Sequence, residues 1–538
     1  MSEDIREIRL QKLQRMRELG HDPFAVEEFK RTGSAKHLLE NFEVLSGGAG
    51  KNQPATTTQA DTGPSQPATT ISFAGRVVSY RDMGKAGFAH LSDGDGKIQI
   101  YCRKDEVGDT EWELYRLLDI GDHVGVEGYL FLTKTGERSI HVQKLVPLSK
   151  SLQTLPMGKV VEIKDEAGNV IETKQFYGLE DIEQRYRHRH IDLVTNHEAR
   201  KALIDRAKIV TAVRRYFDGA GYLEVETPML QVVAGGAAAR PFKTHYNAYD
   251  MEVKLRISLE LYLKRLICGD IPAVYEIGRV FRNEGLSNRH SPEFSLLEFY
   301  EAYTNLEGMM RRVEEMFASV AQDVYGTTVC NIGDSGPIDF AKPWKRVDML
   351  DEISRLSGLD RTDLADLDHA KAAIQAKGIL DKAHALGAHI DLAKETSLGG
   401  LIEKLLEVFV EPTLQEPTFV VGYPIETSPL AKKEPGNPKM TRRFEGYILG
   451  REICNAFSEI NDPIDQKERF EQQAREFAKG DDEAHPYDED FVYALEGGMP
   501  PTGGCGIGME RLAMVLTGSE HIREIMFFPM MKPKEEAE

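Results

Sequence analysis

Cysteine is scarce in this sequence, and its placement excludes two classes of protein. The five cysteines, Cys102, Cys268, Cys330, Cys454 and Cys505, are far apart. No CxxC pair offers a zinc site and no dense framework offers a set of disulfides, so all five read as reduced thiols. Long apolar runs are also missing: nowhere do about 18 consecutive apolar residues occur, the length a membrane-spanning helix requires. The opening MSEDIREIRLQKLQRM alternates charge with aliphatic residues and lacks the apolar stretch and cleavage site of a secretory signal, which reads as a cytoplasmic chain. Positive charge is in deficit as well, 67 Lys and Arg against 87 Asp and Glu, for a net −20. Like charges repel, so such a chain cannot coat a polyanion, and a nucleic acid has to be held by local basic patches. One candidate patch is the first helix, where Arg6, Arg9, Lys12, Arg15 and Arg17 face only Glu7; a solvated helix face is the alternative.

What is present is globular composition, 41% hydrophobic and 29% charged over 538 residues. At roughly 150 residues per domain the chain should form two to four folding units. From Ile5 to Leu19 aliphatic residues recur at helical spacing and Gly20 supplies a stop, which predicts a short amphipathic helix in an N-terminal extension over 1–45. Residues 46–70 are rich in Gly, Pro, Thr and Ser and hold almost no large apolar side chains, the composition of a flexible linker. Five strand-like runs follow over 71–150, separated by turns such as DGDG, and suit a five-stranded OB-fold barrel that binds oligonucleotides; a purely structural β-domain is the alternative. A connector with the acidic hairpin VVEIKDEAGNVIETKQ (160–175) spans 151–190. From about 191 to 538 long helical patterns mix with isolated strands, as in the predicted stripe Leu203, Ala207, Val210, Val213 and Phe217, which indicates a large α+β domain. A charged, helix-rich stretch at about 343–395 reads as an insertion of unassigned role.

Three segments carry chemistry. In VYEIGRVFRNEGLSNRHSPEFSLLEFYEAY (274–303) two apolar halves flank a loop with Arg282, Asn283, Glu284, Asn288, Arg289 and His290, a hairpin whose guanidinium groups suit phosphate oxygens. Its return strand carries Glu293, Glu298 and Glu301, with Phe294 and Tyr300 available to stack on a base or close a pocket. In RRFEGYILGREICNAFSEINDP (442–463), Glu445 and Glu452 lie seven residues apart, on opposite faces of a single strand unless a bulge or bend between Gly446 and Gly450 brings them together. Paired carboxylates beside phosphates suit magnesium. In GGCGIGMERLAMVLTG (503–518) a glycine-rich turn enters a helix near Met509 with Arg511 in its first turn, matching neither the Walker A pattern nor the dinucleotide fingerprint.

GYLEVETPML (221–230) with its Pro228, then FRNE with its loop, and finally GIGMERL with its arginine resemble, in order, the three signature motifs of class II aminoacyl-tRNA synthetases. GGAAARPFKTHYNA, ELYLKRL, RNEGLSNRHSPEF and EICNAFSEINDP are similar to the lysine-specific, bacterial-type branch that carries an N-terminal anticodon-binding OB-fold. The resemblance covers nearly the whole chain and implies a catalytic domain built on an antiparallel sheet flanked by helices. It further implies a motif-1 homodimer, and ATP, magnesium, lysine and the lysine-accepting tRNA as ligands. On that resemblance Arg282 would hold the α-phosphate and the amino-acid carboxylate, Phe294 would stack on adenine and Arg511 would reach the γ-phosphate. Glu284 and His290 would position ATP or the acceptor end, and Glu445 and Glu452 would hold magnesium. The lysine pocket would comprise Gly236, Glu260, Glu298, Tyr300, Asn455 and Glu459, and Arg81, Phe88, Gln99 and Glu137 would read the anticodon. An ammonium stripped of water needs acceptors and negative charge, which argues for lysine over the aspartate or asparagine of close relatives; a non-enzymatic RNA-binding protein is the other alternative. The 46–70 segment and the 160–175 hairpin depart from the family pattern.

Overall fold

The computed structural model describes residues 2–47, 69–164, 170–176, 178–332, 336–478 and 487–533. The chain divides into two compact units, Met1–Ile182 with Val194–Asn196, and Glu183–Leu193 with His197–Glu538.

In the first unit the strands are β1 (Ile71–Asp82), β2 (Ala86–Ser92), β3 (Lys97–Arg103), β4 (His123–Leu132) and β5 (Arg138–Ser149). They close into a barrel in the order β1-β2-β3-β5-β4, as the run of five short strands predicts. Buried and half-buried residues alternate along β1, so one face fills the interior with Ile71, Phe73, Val77, Leu91, Ile98, Ile100, Val126 and Ile140 while the other meets solvent. A helix at Lys104–Leu117, absent from the sequence reading, links β3 to β4. The first helix, Ser2–Glu18, uses its cations on protein. Arg9 is buried and donates to the carbonyls of Ser151, Gln153 and Ile120. Lys12 pairs with Asp119 at 2.6 Å, Arg15 with Glu113 at 2.7 Å and Arg17 with Asp22 at 3.0 Å. Four of the five cations proposed as a nucleic-acid patch therefore already have carbonyl or carboxylate partners. The linker expected over 46–70 falls mostly on 48–68, outside the described residues. The acidic hairpin pairs as β6 (Lys159–Lys164) with β7 (Val170–Phe176), its turn lying outside the described residues.

The second unit holds β8 (Leu223–Glu224), then β9 (Leu230–Gln231), β10 (Lys243–Tyr246) and β11 (Met251–Leu255), which form a three-stranded sheet. Next come β12 (Ala273–Phe281), β13 (Glu293–Ala302), the small pair β14 (Val329–Asn331) and β15 (Pro337–Asp339), β16 (Lys345–Asp348), β17 (Thr418–Pro424), β18 (Lys433–Glu434), β19 (Asn437–Ile448), β20 (Arg451–Ser458) and β21 (Thr502–Gly508). The large sheet runs β16-β17-β19-β20-β21-β13-β12-β8, with β18 on β19. Its central pairs are antiparallel, but both outermost pairs, β16 with β17 and β12 with β8, are parallel, so the sheet is mixed rather than wholly antiparallel.

The helices His197–Gly219, Leu306–Tyr325 and Met509–Thr517 contribute to the same core as the sheet residues Leu297, Phe299, Phe419, Phe444, Ala456 and Ile507. Of the stripe expected on His197–Gly219, Leu203, Val213 and Phe217 are buried and Val210 is half-buried against the core, whereas Ala207 is exposed; Ile209 and Ala212 are buried in addition. Leu306–Tyr325 starts where Asn305 caps the Gly308 N–H and stops where Gly326 turns left-handed at φ 72°. The helical stretch begins only at Met349, after β16 has joined the sheet, and continues past 395 through Leu398–Leu405.

Candidate active site

Strand alternation sorts the catalytic face from the core. Leu297 and Phe299 point into the helices, so Leu296, Glu298 and Tyr300 point the other way; on β21 Cys505 and Ile507 face the core and Gly504, Gly506 and Gly508 the open side. That side forms a cavity of about 1560 Å³, lined by Arg282, Glu284, His290, Phe294, Glu298, Tyr300, Glu452, Asn455 and Arg511 among others. It exceeds the roughly 300–1,000 Å³ of a single small-molecule site. One wall is the helical stretch, through Leu364, Asp366, Leu367, Ser397, Leu398 and Glu403, a role its sequence did not disclose.

The floor is acidic. Glu298 is buried and accepts from Ser258 Oγ at 2.8 Å, the Leu259 N–H at 3.0 Å and Tyr300 Oη at 2.9 Å. Burial and then the nearby Glu260 raise its carboxyl to about 7. Glu260, at the start of the helix Glu260–Cys268, and Glu459, just beyond β20, share Lys264, whose Nζ donates to Glu260 Oε1 at 2.7 Å and Glu459 Oε2 at 2.6 Å. Burial pulls that fully buried ammonium down, but the two carboxylates outweigh it and its net shift is upward. Burial lifts Glu459 well above the carboxylate range, and its Oε1 is buried without a hydrogen-bond partner. Gly504 permits this arrangement, since a Cβ there would overlap Glu459 Oε1 and the Tyr300 ring. Gly236 borders the same floor with φ +88°, and its Cβ would lie 2.8 Å from Ser258 Oγ. Asn455 Oδ1 accepts from Arg443 Nε at 3.1 Å.

The other end is cationic. Arg282 lies with its guanidinium 5.2 Å from the centroid of Phe294, and among the described residues its side chain makes one long bond, from Nε to the Ile257 carbonyl at 3.4 Å. Arg511 Nη1 donates to Glu452 Oε2 at 2.8 Å, and its Nη2 lies 3.3 Å from His290 Nε2. Glu284 is exposed on the loop. Glu445 and Glu452 sit on two strands of a hairpin. The chain reverses at Leu449 and Gly450, both at positive φ (56° and 63°). Gly446 pairs with Cys454 while Tyr447 pairs with Glu452, so Ile453 is an extra residue on β20. This bulge puts Glu452 on the face of Glu445, so of the two geometries left open by the sequence it is the bend, at Leu449–Gly450, with an extra residue at Ile453, that brings the carboxylates to one face.

Magnesium fits the pair by charge: burial and then Glu452 push Glu445 up to about 7, a repulsion that a dication relieves. Glu452 faces the cavity. Glu445 does not line it, its oxygens accepting from Arg443, Tyr423 and Tyr447. Glu459 likewise lies beneath the lining.

In the barrel, Gln99 and Glu137 meet, Gln99 Nε2 donating to Glu137 Oε2 at 2.7 Å while His90 Nε2 lies 2.9 Å from Glu137 Oε1. Arg81 pairs in register with Phe88, bringing all four predicted residues to one outer face.

A family model for class II tRNA synthetases (D, K and N) matches residues 181–532, and one for the OB-fold nucleic acid binding domain matches 71–148. The chain belongs to the class II tRNA synthetases. A lysine–tRNA ligase of Bacillus cytotoxicus is 45% identical over 529 residues, 98% of this chain and 97% of the relative. One of Pelotomaculum thermopropionicum is 45% identical over 536 residues, covering 99% and 96%, and one of Bacillus cereus ATCC 14579 is 45% identical over 529, covering 98% and 97%. Sequence reasoning missed three residues of this synthetase site. Lys264 was legible as the i+4 partner of Glu260 on one helix. Arg443 could have been found from its alternation with Glu445 on β19. Ser258, held by tertiary contact alone, gave no signal.

Proposed function

We propose that this chain is a lysine–tRNA ligase that activates lysine with ATP and transfers it to the 3′ end of the lysine-accepting tRNA. One observation carries the choice of amino acid: of three buried carboxyl groups, Glu260, Glu298 and Glu459, two bond the one ammonium of Lys264 and Glu298 bonds none, among the described residues. Burial disfavours the ionised forms of these groups, an incoming ammonium would restore them, and the unpartnered Glu459 Oε1 offers an acceptor. An aspartate side chain would be repelled there.

With lysine so seated, its carboxylate oxygen attacks the α-phosphorus of ATP, the bond to pyrophosphate breaks, and lysyl-adenylate forms. A terminal ribose hydroxyl of the tRNA then attacks the adenylate carbonyl, losing its proton as AMP departs. Arg282 neutralises charge developing at the α-phosphate, Arg511 does so at the far end of the polyphosphate, and Phe294 offers a ring face to adenine. Glu284 and His290 sit on the loop that would order ATP or the acceptor end. Glu452, with Glu445 behind it, would hold magnesium, which adds charge neutralisation on the phosphates. Asn455 and Gly236 shape the lysine pocket, and Arg81, Phe88, Gln99 and Glu137 read the anticodon. The working form is a cytoplasmic homodimer.

The test is ATP–pyrophosphate exchange measured with each of the twenty amino acids, with and without magnesium. Exchange dependent on lysine and magnesium is expected. Exchange with aspartate or asparagine would overturn the reading of the floor, and none with any amino acid would leave an RNA-binding protein.

A further inference from the structure

The acidic floor of the cavity rests on a charge that the cavity does not touch. Lys264 is fully buried on the helix Glu260–Cys268 and lies behind the lining, whereas Glu260, one turn earlier, faces the cavity. Its ammonium donates to Glu260 Oε1 and to Glu459 Oε2, and the rings of Phe457 and Phe491 have centroids 5.8 Å and 5.3 Å from Nζ. Phe457 is on β20 and Phe491 on the helix Glu489–Glu496, so three elements close around one cation. Holding Oε2 of Glu459 also fixes its other oxygen. Oε1 sits against Gly504, which lines the cavity and has no side chain to cover it. Besides the two carboxylates, the titratable and charged groups near Lys264 are Cys268 on its own helix, Glu298 and Tyr300 on β13, and Arg443 on β19. β12 contributes only the apolar Val274 and Val280 to the same core, and Asp488, at the start of the helix Glu489–Glu496, is taken by Arg265. Lys264 draws Glu260 and Glu459 toward their anions against burial, while Glu298 opposes it at Glu459.

A buried ion pair is a poor device for stability, since apolar side chains of similar volume often replace one without loss. An ammonium kept beside Leu263, Ile267 and Phe491 therefore has another use. We infer that Lys264 is a positioning residue for the substrate: it anchors Glu260 and Glu459 so that Glu459 Oε1 is presented, behind Gly504, to the side-chain ammonium of lysine. The inference rests on the lysine reading of the floor. Without Lys264 the substrate ammonium alone would have to hold both carboxylates as anions, which burial resists, so binding would weaken and would demand a higher pH. The reacting carboxylate and α-phosphate belong to the cationic end of the cavity, so the chemical step would proceed once lysine is seated.

The test is lysine-dependent pyrophosphate exchange by the full chain from pH 6 to pH 8.5, with a thermal melt of each variant. Lys264→Met is expected to raise the KM for lysine at least about tenfold, the scale of one charge-assisted hydrogen bond. Its kcat and its KM for ATP should stay within about twofold of wild type, the split expected when ground-state binding alone is lost. The variant KM should still be falling at pH 8.5. Lys264→Gln, which keeps a polar group of similar volume, should behave in the same way and serves if the Met variant does not fold. Lys264→Arg, which keeps the charge, should retain the wild-type pH profile with a KM within about threefold. A lysine KM at the wild-type value in the Met or Gln variant would overturn the positioning role and leave the lysine reading intact. So would equal losses in kcat and both KM values with an unaltered pH profile, or an Arg variant no better than the Gln variant. A wild-type chain without lysine-dependent exchange would instead overturn the lysine reading itself.

Discussion

Glu298 is pulled in opposite directions. Burial and Glu260 favour its protonated form, whereas donors from Leu259, Ser258 and Tyr300 favour the anion, and burial prevails with the carboxyl at about 7. A substrate ammonium binds the anion, so lysine affinity should rise with pH until the ligand itself loses charge. The KM for lysine in pyrophosphate exchange is expected to fall several-fold from pH 6 to pH 8, and Glu298→Gln should raise KM and flatten the profile. A wild-type KM that stays level would remove Glu298 from contact with the ammonium. The same shift acts on stability with a definite sign: a folded value of about 7 lies above the ordinary 4.5, so protonated Glu298 stabilises the fold below about pH 4.5, and that contribution is lost as pH climbs through 7. Saturating lysine should restore it, giving a larger Tm increase at pH 8 than at pH 6. Arg282 is different, because its 3.4 Å bond to the Ile257 carbonyl does little for the fold. Arg282→Ala should cut pyrophosphate exchange by about 10²–10³-fold while leaving the unfolding midpoint nearly unchanged; exchange at the wild-type rate would refute its role at the α-phosphate.

The β19–β20 hairpin decides where two carboxylates point, and it does so with two local devices, the left-handed turn at Leu449–Gly450 and the extra residue Ile453. Gly450→Ala should cost about 1–2 kcal/mol for the left-handed backbone, and its Cβ would press on the Glu411 carbonyl 3.1 Å away. Exchange should therefore require more magnesium than in wild type, by an amount that the loss in Tm alone does not predict; an unchanged magnesium dependence would detach this hairpin from the metal. The example also marks what the sequence could disclose. The barrel strands and the β12–β13 hairpin were legible because alternation and turn residues are local signals, and alternation alone separates Glu298 from Phe299. One unpaired residue in a ladder flips every side chain beyond it, and the sequence does not say where that residue falls. Nor does charge reveal its partner: the cations of the first helix look like a phosphate patch until Glu113, Asp119 and the carbonyls near Ser151 claim them. The helical wall of the cavity was opaque for the same reason, its place being fixed by packing far along the chain.

At the scale of the whole molecule, one group of exposed apolar side chains among the described residues belongs to the chain segment that begins at one edge of the large sheet. β8 ends that sheet with two residues, and Leu223, Met229, Leu230, Val232 and Tyr249 around it are 51%, 48%, 53%, 62% and 75% exposed. In the homodimer proposed above, a second copy related by a twofold axis would cover these side chains on both chains. The strip is tied to the catalytic floor: the Arg256 N–H donates to the Met229 carbonyl, Arg256 pairs with the buried Glu276 at 2.6 Å, and the chain reaches Gly236 soon after Val232. Losing the partner should therefore loosen the lysine pocket as well as halve the mass. Light scattering after size exclusion should give a dimer for the wild type and a monomer for Leu230→Asp, with lysine-dependent exchange reduced at least tenfold in the monomer. A wild-type monomer would refute the dimer, while a monomeric variant with full exchange would show that the pocket stands without its partner.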